Sequence, residues 1–163
     1  MADTTPPVPP EVFPLYYDST WTTKPRVTLE TSKGSVLLEL EPAATPYTVG
    51  NFLAYVNTGF YTNLLFHRVI PGFMVQGGGY KPGLVKQSAT YFPILIEASK
   101  GLSNLRGTIA MARTSDPNSA TSEFFINVVD NKFLDYPGQD GSGYTAFGRV
   151  LSGKSAVDAI AAV

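Results

Sequence analysis

From residue 26 onward the chain alternates between apolar and polar positions. Val27 and Leu29 are separated by Thr28, a polar stretch of Ser32, Lys33, Gly34 and Ser35 follows, and Val36, Leu38 and Leu40 then resume the alternation. A strand turns successive side chains to opposite faces, so each run buries one face, and the glycine-bearing break between them predicts a hairpin turn. After Thr45 the period lengthens. Val49, Phe52, Leu53 and Val56 fall at i, i+3, i+4 and i+7, the apolar stripe of a helix. Thr45 has the N-cap residue type, Pro46 suits the first helical position and Gly59 marks the stop.

Residues 66–79 form the densest signal. Phe66, His67, Arg68, Val69 and Ile70 lead into Pro71 and Gly72, and Phe73, Met74, Val75 and Gln76 lead into Gly77, Gly78 and Gly79. Two paired strands joined by a tight turn are the simplest arrangement, ending where three glycines let the backbone bend or approach a neighbour closely. No phosphate-binding pattern follows the glycines, so they are taken as a bend. Strict alternation places Phe66, Arg68 and Ile70 on one face and His67 and Val69 on the other. An arginine in an apolar strand face either snorkels to solvent, pairs with a carboxylate, or has a use. Residues 80–92 are polar and glycine-bearing, and further strands are predicted at 93–96, 107–112, 123–128 and 145–150. Long loops are predicted at 113–122 and 131–144, and Val157 and Ile160 give 154–163 the stripe of a second helix. Many short strands with two helices predict a mainly β fold, a closed antiparallel barrel capped by helices. Its large inward Val, Ile, Leu and Phe side chains would fill such a barrel, which disfavours a small-molecule carrier.

Ahead of this domain, residues 1–24 carry Pro6, Pro7, Pro9, Pro10 and Pro14 and predict an extended arm, with the domain occupying 25–163. Phe13, Leu15, Tyr16, Tyr17 and Trp21 suggest that its second half packs on the domain. The 163 residues are 44% apolar and 15% charged, enough for one core, and the net charge of −1 supplies no field to draw nucleic acid or an anionic membrane. With no cysteine and the single histidine His67, the usual soft ligand sets for a metal cannot be assembled from one copy, so no metal or cofactor is expected. A serine-histidine triad would have to use His67, and no Gly-x-Ser-x-Gly elbow exists, which disfavours hydrolysis. No stretch approaches the roughly 20 apolar residues of a membrane helix.

The run from Phe66 to Gly79 resembles the signature of the cyclophilins, the peptidyl-prolyl cis-trans isomerases. A second block is similar as well: Arg106, Gly107, Thr108, Ile109, Ala110, Met111, Ala112, Arg113 and Thr114, continued by Ser119, Ala120, Thr121, Ser122, Glu123, Phe124, Phe125, Ile126 and Asn127, matches the bacterial form. The resemblance runs from about Arg26 to the last residue. It implies an eight-stranded barrel with a helix at each end and an outer apolar groove that holds a proline. Arg68 matches the catalytic arginine, donating a hydrogen bond to the prolyl nitrogen in the twisted transition state. Phe73, Met74 and Phe125 match the proline pocket, with Leu134 beside it. Gln76 matches the glutamine that orients the arginine, and Ala112 and Arg113 match the stretch that holds the substrate backbone. Tyr144 stands where many eukaryotic members have histidine. His67 is left as a structural residue.

The resemblance also marks departures. Phe133 replaces a tryptophan on which cyclosporin binding leans, so weak cyclosporin binding is expected. Glu123 replaces a glutamine at the groove wall and Arg113 an asparagine, so the two are expected to pair across the groove, with Glu123 favouring substrates that carry a basic residue shortly before proline. Relatives continue past the second helix into a last strand that closes the barrel. This chain stops at Val163, so an open edge is expected, with the arm at 13–21 a candidate cover. The expected partners are proline-containing peptides and unfolded proteins, the expected state is a monomer, and the arm suggests a periplasmic protein, with the cytoplasm as the alternative. A chaperone that grips proline segments and turns over incidentally is the rival reading.

Overall fold

The structure, a computed structural model, describes residues 23–163, so the expected arm and its packing at 13–21 lie outside the described residues. In chain order the elements are β1 (Arg26–Thr31), β2 (Gly34–Leu40), α1 (Pro46–Asn57), β3 (Arg68–Ile70), β4 (Met74–Gly77), β5 (Tyr80–Lys81), β6 (Val85–Lys86), β7 (Thr108–Met111), β8 (Phe124–Asn127), β9 (Ala146–Ser152) and α2 (Lys154–Ala161). Short 3-10 turns lie at Ala98–Lys100 and Lys132–Leu134. Seven strands form one antiparallel sheet in the order β1-β2-β9-β7-β8-β4-β3, and β5 and β6 make a separate hairpin.

The expected eight-stranded closure is not formed. Among the described residues β1 and β3 are the two edges and no strand pairs with both, so the sheet is an open half-barrel. Irregularities at Leu37/Leu38 and Ile109/Ala110 help it curl, since a bulge adds local bend and twist. α2 lies against β2, β3 and β4.

Period two sorts the sheet into two faces. Val75, Ile109, Met111, Phe124, Ile126 and Phe147 join Val36, Leu38 and Leu40 in the main core, under α1 and α2. Their immediate neighbours Met74, Ala110, Phe125 and Ala146 turn to the opposite face and form a second apolar cluster with Leu134, Phe73, Ile70 and Tyr144. A sheet whose strands are apolar on both faces needs a cover on each. The helices cover the main core, and Leu134 and Tyr144 from the loop before β9 pack against the second cluster.

α1 begins at Thr45 as expected, but the Thr45 side chain does not cap it. Its Oγ1 donates to the Glu41 carbonyl at 2.9 Å, and the free amides of the first turn are satisfied by Glu97, whose Oε1 accepts from Thr48 N and Thr48 Oγ1, both at 2.7 Å. A buried carboxylate at a helix N-terminus answers the orphan amides and the helix dipole together. The buried side of α1 is wider than the expected stripe and includes Tyr55, packed edge-on against Phe60 and Tyr91. Two other expectations change. Residues 93–96 form no strand, only a bridge between Ile94 and Ala120, because Pro93 has no amide to donate and Leu95 faces solvent. Residues 80–92, expected as loop, contain the β5–β6 hairpin.

Candidate active site

β3 and β4 are joined by the tight turn at Pro71 and Gly72, the glycine at φ +72, and their register sets Arg68 opposite Gln76. β4 in turn sets Gln76 opposite Phe125 and Met74 opposite Asn127 on β8. One row across the outer face therefore carries Arg68, Gln76 and Phe125. Arg68 is exposed and its guanidinium has no hydrogen bond or ion pair among the described residues. Phe66, expected on the Arg68 face, packs with Val69 against the main core instead, because regular strand geometry begins only at Arg68.

Beside that row lies the second apolar cluster. Met74, Phe125 and Leu134 are almost fully buried and Phe73 partly so. Phe133 is 52% exposed and stacks on Phe73 with ring centroids 5.9 Å apart. Tyr144 meets Phe125 edge-on at 5.8 Å. Phe73, Met74, Phe125, Leu134, Phe133 and Tyr144 thus come together in one cluster and its rim, as expected from the sequence.

Arg113 and Glu123 do not pair. The Arg113 side chain, only 3% exposed, donates from Nη2 to Asp140 Oδ2 at 2.6 Å and to the Gly143 carbonyl at 2.6 Å, from Nε to the same carbonyl, and from Nη1 to the Thr114 carbonyl. It also lies 4.3 Å over the Tyr144 ring. Asp140 accepts from Gly143 N and Ser142 N as well, and Arg113 foremost holds its carboxyl far below the usual carboxylate range. The guanidinium is consumed in pinning this loop, which leaves the backbone of Ala112 and Arg113 as the part that can face a ligand.

Glu123 is held from the other side. Its Oε1 lies 3.2 Å from His67 Nε2 and accepts from Gln76 Nε2 at 3.1 Å. The Glu123 side chain lies across Gly79, where a Cβ would come within 2.6 Å of its Cγ, and Gly78 at φ +91 lies against the Ser122 carbonyl. The glycine run is thus both bend and close approach. Burial pushes the His67 imidazole below its usual pKa, against the pull of Glu123 and with a contribution from Arg68, so the ring is neutral at pH 7. With its other nitrogen, Nδ1, buried and unbonded, His67 presents Nε2–H to the carboxylate. His67 therefore borders the site through Glu123.

A further polar chain lies beneath the pocket, and sequence reasoning missed it. Asp135 Oδ1 accepts from Asn104 N and Nδ2, Asn104 Oδ1 accepts from Asn127 Nδ2, and Asn127 Oδ1 accepts from Asn131 Nδ2 at 2.8 Å. Asn131 Nδ2 ends the chain on the Phe73 carbonyl at 2.9 Å. It ties three loops to the β3–β4 turn. The available signal was Asn127 itself, a buried amide in the otherwise apolar β8.

No His, Cys, Asp or Glu cluster able to hold a metal occurs among the described residues. Residues 26–163 match the family model of cyclophilin-type peptidyl-prolyl cis-trans isomerases. The chain belongs to that family. It is similar to peptidyl-prolyl cis-trans isomerase A of Dickeya dadantii, 55% identical over 87% of this chain and 74% of the relative. Against peptidyl-prolyl cis-trans isomerase B of Escherichia coli it is 52% identical over 84% of each chain. Among solved structures it resembles a Cryptosporidium parvum cyclophilin in the presence of the dipeptide Ala-Pro, with a TM-score of 0.71, 27% identity and coverage of 84% and 85%. This cyclophilin is therefore an enzyme, a peptidyl-prolyl cis-trans isomerase. No helix among the described residues is long and apolar enough to cross a membrane.

Proposed function

We propose that the substrate is a proline-containing peptide or unfolded segment, its proline ring seated against Phe73, Met74, Phe125 and Leu134, its backbone along Ala112 and Arg113, and that Arg68 supplies the catalytic hydrogen bond. An amide resists rotation by ~18–20 kcal/mol because the nitrogen lone pair is delocalised into the carbonyl. As the bond twists, the lone pair localises on nitrogen and becomes an acceptor that did not exist in the ground state. A donor that finds its partner only then lowers the barrier without tightening ground-state binding.

The uncatalysed reaction takes tens of seconds, and a millisecond turnover asks for about 5–6 kcal/mol of barrier lowering. One preorganised donor contributes about 2.7–4 kcal/mol, and clamping the ring in a groove emptied of water supplies the remainder. The guanidinium stays protonated throughout and transfers no proton. With its Nε2 given to Glu123, Gln76 keeps only its side-chain oxygen to accept from Arg68 opposite, which would aim the guanidinium over Phe125. The observation that supports this reading is the exposed Arg68, without a hydrogen bond or ion pair among the described residues, in one row with Gln76 and Phe125.

Its test is isomerisation of a proline tetrapeptide by wild type and Arg68→Ala. The loss should be about 100- to 1,000-fold in kcat, with the thermal midpoint unchanged because the side chain has no partner to lose among the described residues. A variant within a few-fold of wild type would remove Arg68 from the mechanism.

A further inference from the structure

We infer that Glu123 forms a subsite for a cationic side chain, so that this isomerase prefers substrates with Lys or Arg two residues before the proline. The inference rests on the groove reading above and adds a substrate class to it. The Glu123 carboxylate is 27% exposed at the groove wall, and only Oε1 has protein partners, His67 and Gln76. Among the described residues Oε2 has none. Both partners of Oε1 are neutral at pH 7, since Gln76 carries no charge and burial keeps the imidazole unprotonated. Arg113, the cation that could have cancelled the charge, is turned to Asp140 and Gly143. Among the described residues no lysine or arginine makes an ion pair with Glu123. The wall therefore keeps an uncancelled carboxylate with one oxygen free.

Its position matches the reach of the substrate. The Glu123 carbonyl accepts from Ala112 N at 3.0 Å, which carries the β7–β8 ladder one step past Phe124. Glu123 is thus two residues from Phe125 along an extended backbone, and side chains two apart share a face at about 6.5–7 Å. An extended peptide repeats at the same interval, so with proline on Phe125 and its preceding residues over Ala112 and Arg113, the side chain two before proline falls at Glu123. Lysine and arginine have the stem length to reach a carboxylate at the wall while leaving their own backbone in the groove.

The test is kcat/KM at neutral pH for matched peptides with Lys, Ala or Glu two residues before proline, on wild type and Glu123→Gln, at low and high salt. Wild type should favour Lys over Glu by about 5- to 10-fold at low salt, the ratio shrinking toward one as salt screens an exposed pair. Glu123→Gln should bring the ratio near one whatever its absolute rate. If that variant fails to fold, the salt dependence of the wild-type ratio decides. Equal rates for the three peptides on wild type, or a preference that survives both salt and substitution, overturns the subsite. No turnover of even the Ala peptide would instead overturn the groove reading beneath it.

Discussion

Replacing Asn127 by alanine should destabilise the protein far more than the loss of one small polar side chain suggests. Asn127 is fully buried and makes three hydrogen bonds: Nδ2 donates to Asn104 Oδ1 at 3.1 Å and to Thr108 Oγ1 at 3.0 Å, and Oδ1 accepts from Asn131 Nδ2 at 2.8 Å. The partners do not suffer equally. Thr108 keeps its bond to the Leu105 carbonyl and Asn131 keeps Phe73, whereas Asn104 Oδ1 is left with nothing. Net hydrogen bonds are worth about 0.5–1.5 kcal/mol each and a buried orphan costs about 1–3 kcal/mol, so the loss should be about 3–4 kcal/mol. Against a total of about 5–15 kcal/mol that is a large share, and for a chain of this size it lowers the thermal midpoint by roughly 6–15 °C. Urea unfolding with an unchanged m-value measures it. Because the chain of amides ends on the Phe73 carbonyl, KM for a proline peptide should also rise. A loss below about 1 kcal/mol would mean that water or loop relaxation satisfies Asn104, and that the network does not hold the pocket.

Cyclosporin should inhibit weakly, because the exposed Phe133 offers no donor where an indole N–H is expected, and Phe133→Trp should strengthen inhibition; tight inhibition of the unmodified protein counts against this account of the groove rim. The buried His67 makes stability pH-dependent in a defined direction. Its folded pKa lies below the unfolded value of about 6.5, so the unfolded chain binds the proton more readily, and stability, complete above about pH 6.5, falls as the pH drops toward the folded pKa. Urea midpoints at about pH 7.5 and 5.5 should differ less in His67→Gln than in wild type, and an equal difference would assign the slope to other groups.

What was legible in the chain depended on the range of the interaction. The β1–β2 hairpin, α1 and the β3–β4 pair were visible because a period of 2 or 3.6 is written over adjacent residues, with Pro46, Gly59 and Gly72 as punctuation. Period failed where an element was shorter than the pattern. Three-residue β3 does not include Phe66, so alternation carried one step too far put that ring on the wrong face. The residues of the outer cluster were singled out through resemblance, since Met74, Phe125 and Leu134 look like any core residues by composition. The partners of the charged groups were not found. Glu97 reaching back to α1, Arg113 to Asp140 and His67 to Glu123 join residues 49, 27 and 56 positions apart, and no local pattern marks them. The expected closure of the barrel came from the number of short strands and from the resemblance, and the described strands leave β1 and β3 unjoined.

The two apolar faces of one sheet let this cyclophilin carry a second apolar cluster, the proposed substrate site, without weakening its core. Val75, Ile109 and Ile126 point inward to fully buried packing, and their neighbours Met74, Ala110 and Phe125 point outward to the second cluster, so β4, β7 and β8 each serve both at once. Alternation separates the two roles cleanly, because a change on one face leaves the side-chain set of the other in register. It also imposes a demand. The outer cluster would be an exposed apolar patch unless something held its loops in place, and the polar anchors gather there: Asp135 with Asn104, Asn127 and Asn131 under Phe73 and Leu134, and Arg113 with Asp140 behind Tyr144. These groups are satisfied by one another, so the loops over the outer cluster are held in place, and with the proposed substrate seated there less of the binding free energy would go into ordering them. Arg68 is the exception on that face. Among the described residues it makes no hydrogen bond or ion pair and stands outside the network, as the proposed role of a donor that meets its acceptor only in the twisted transition state requires.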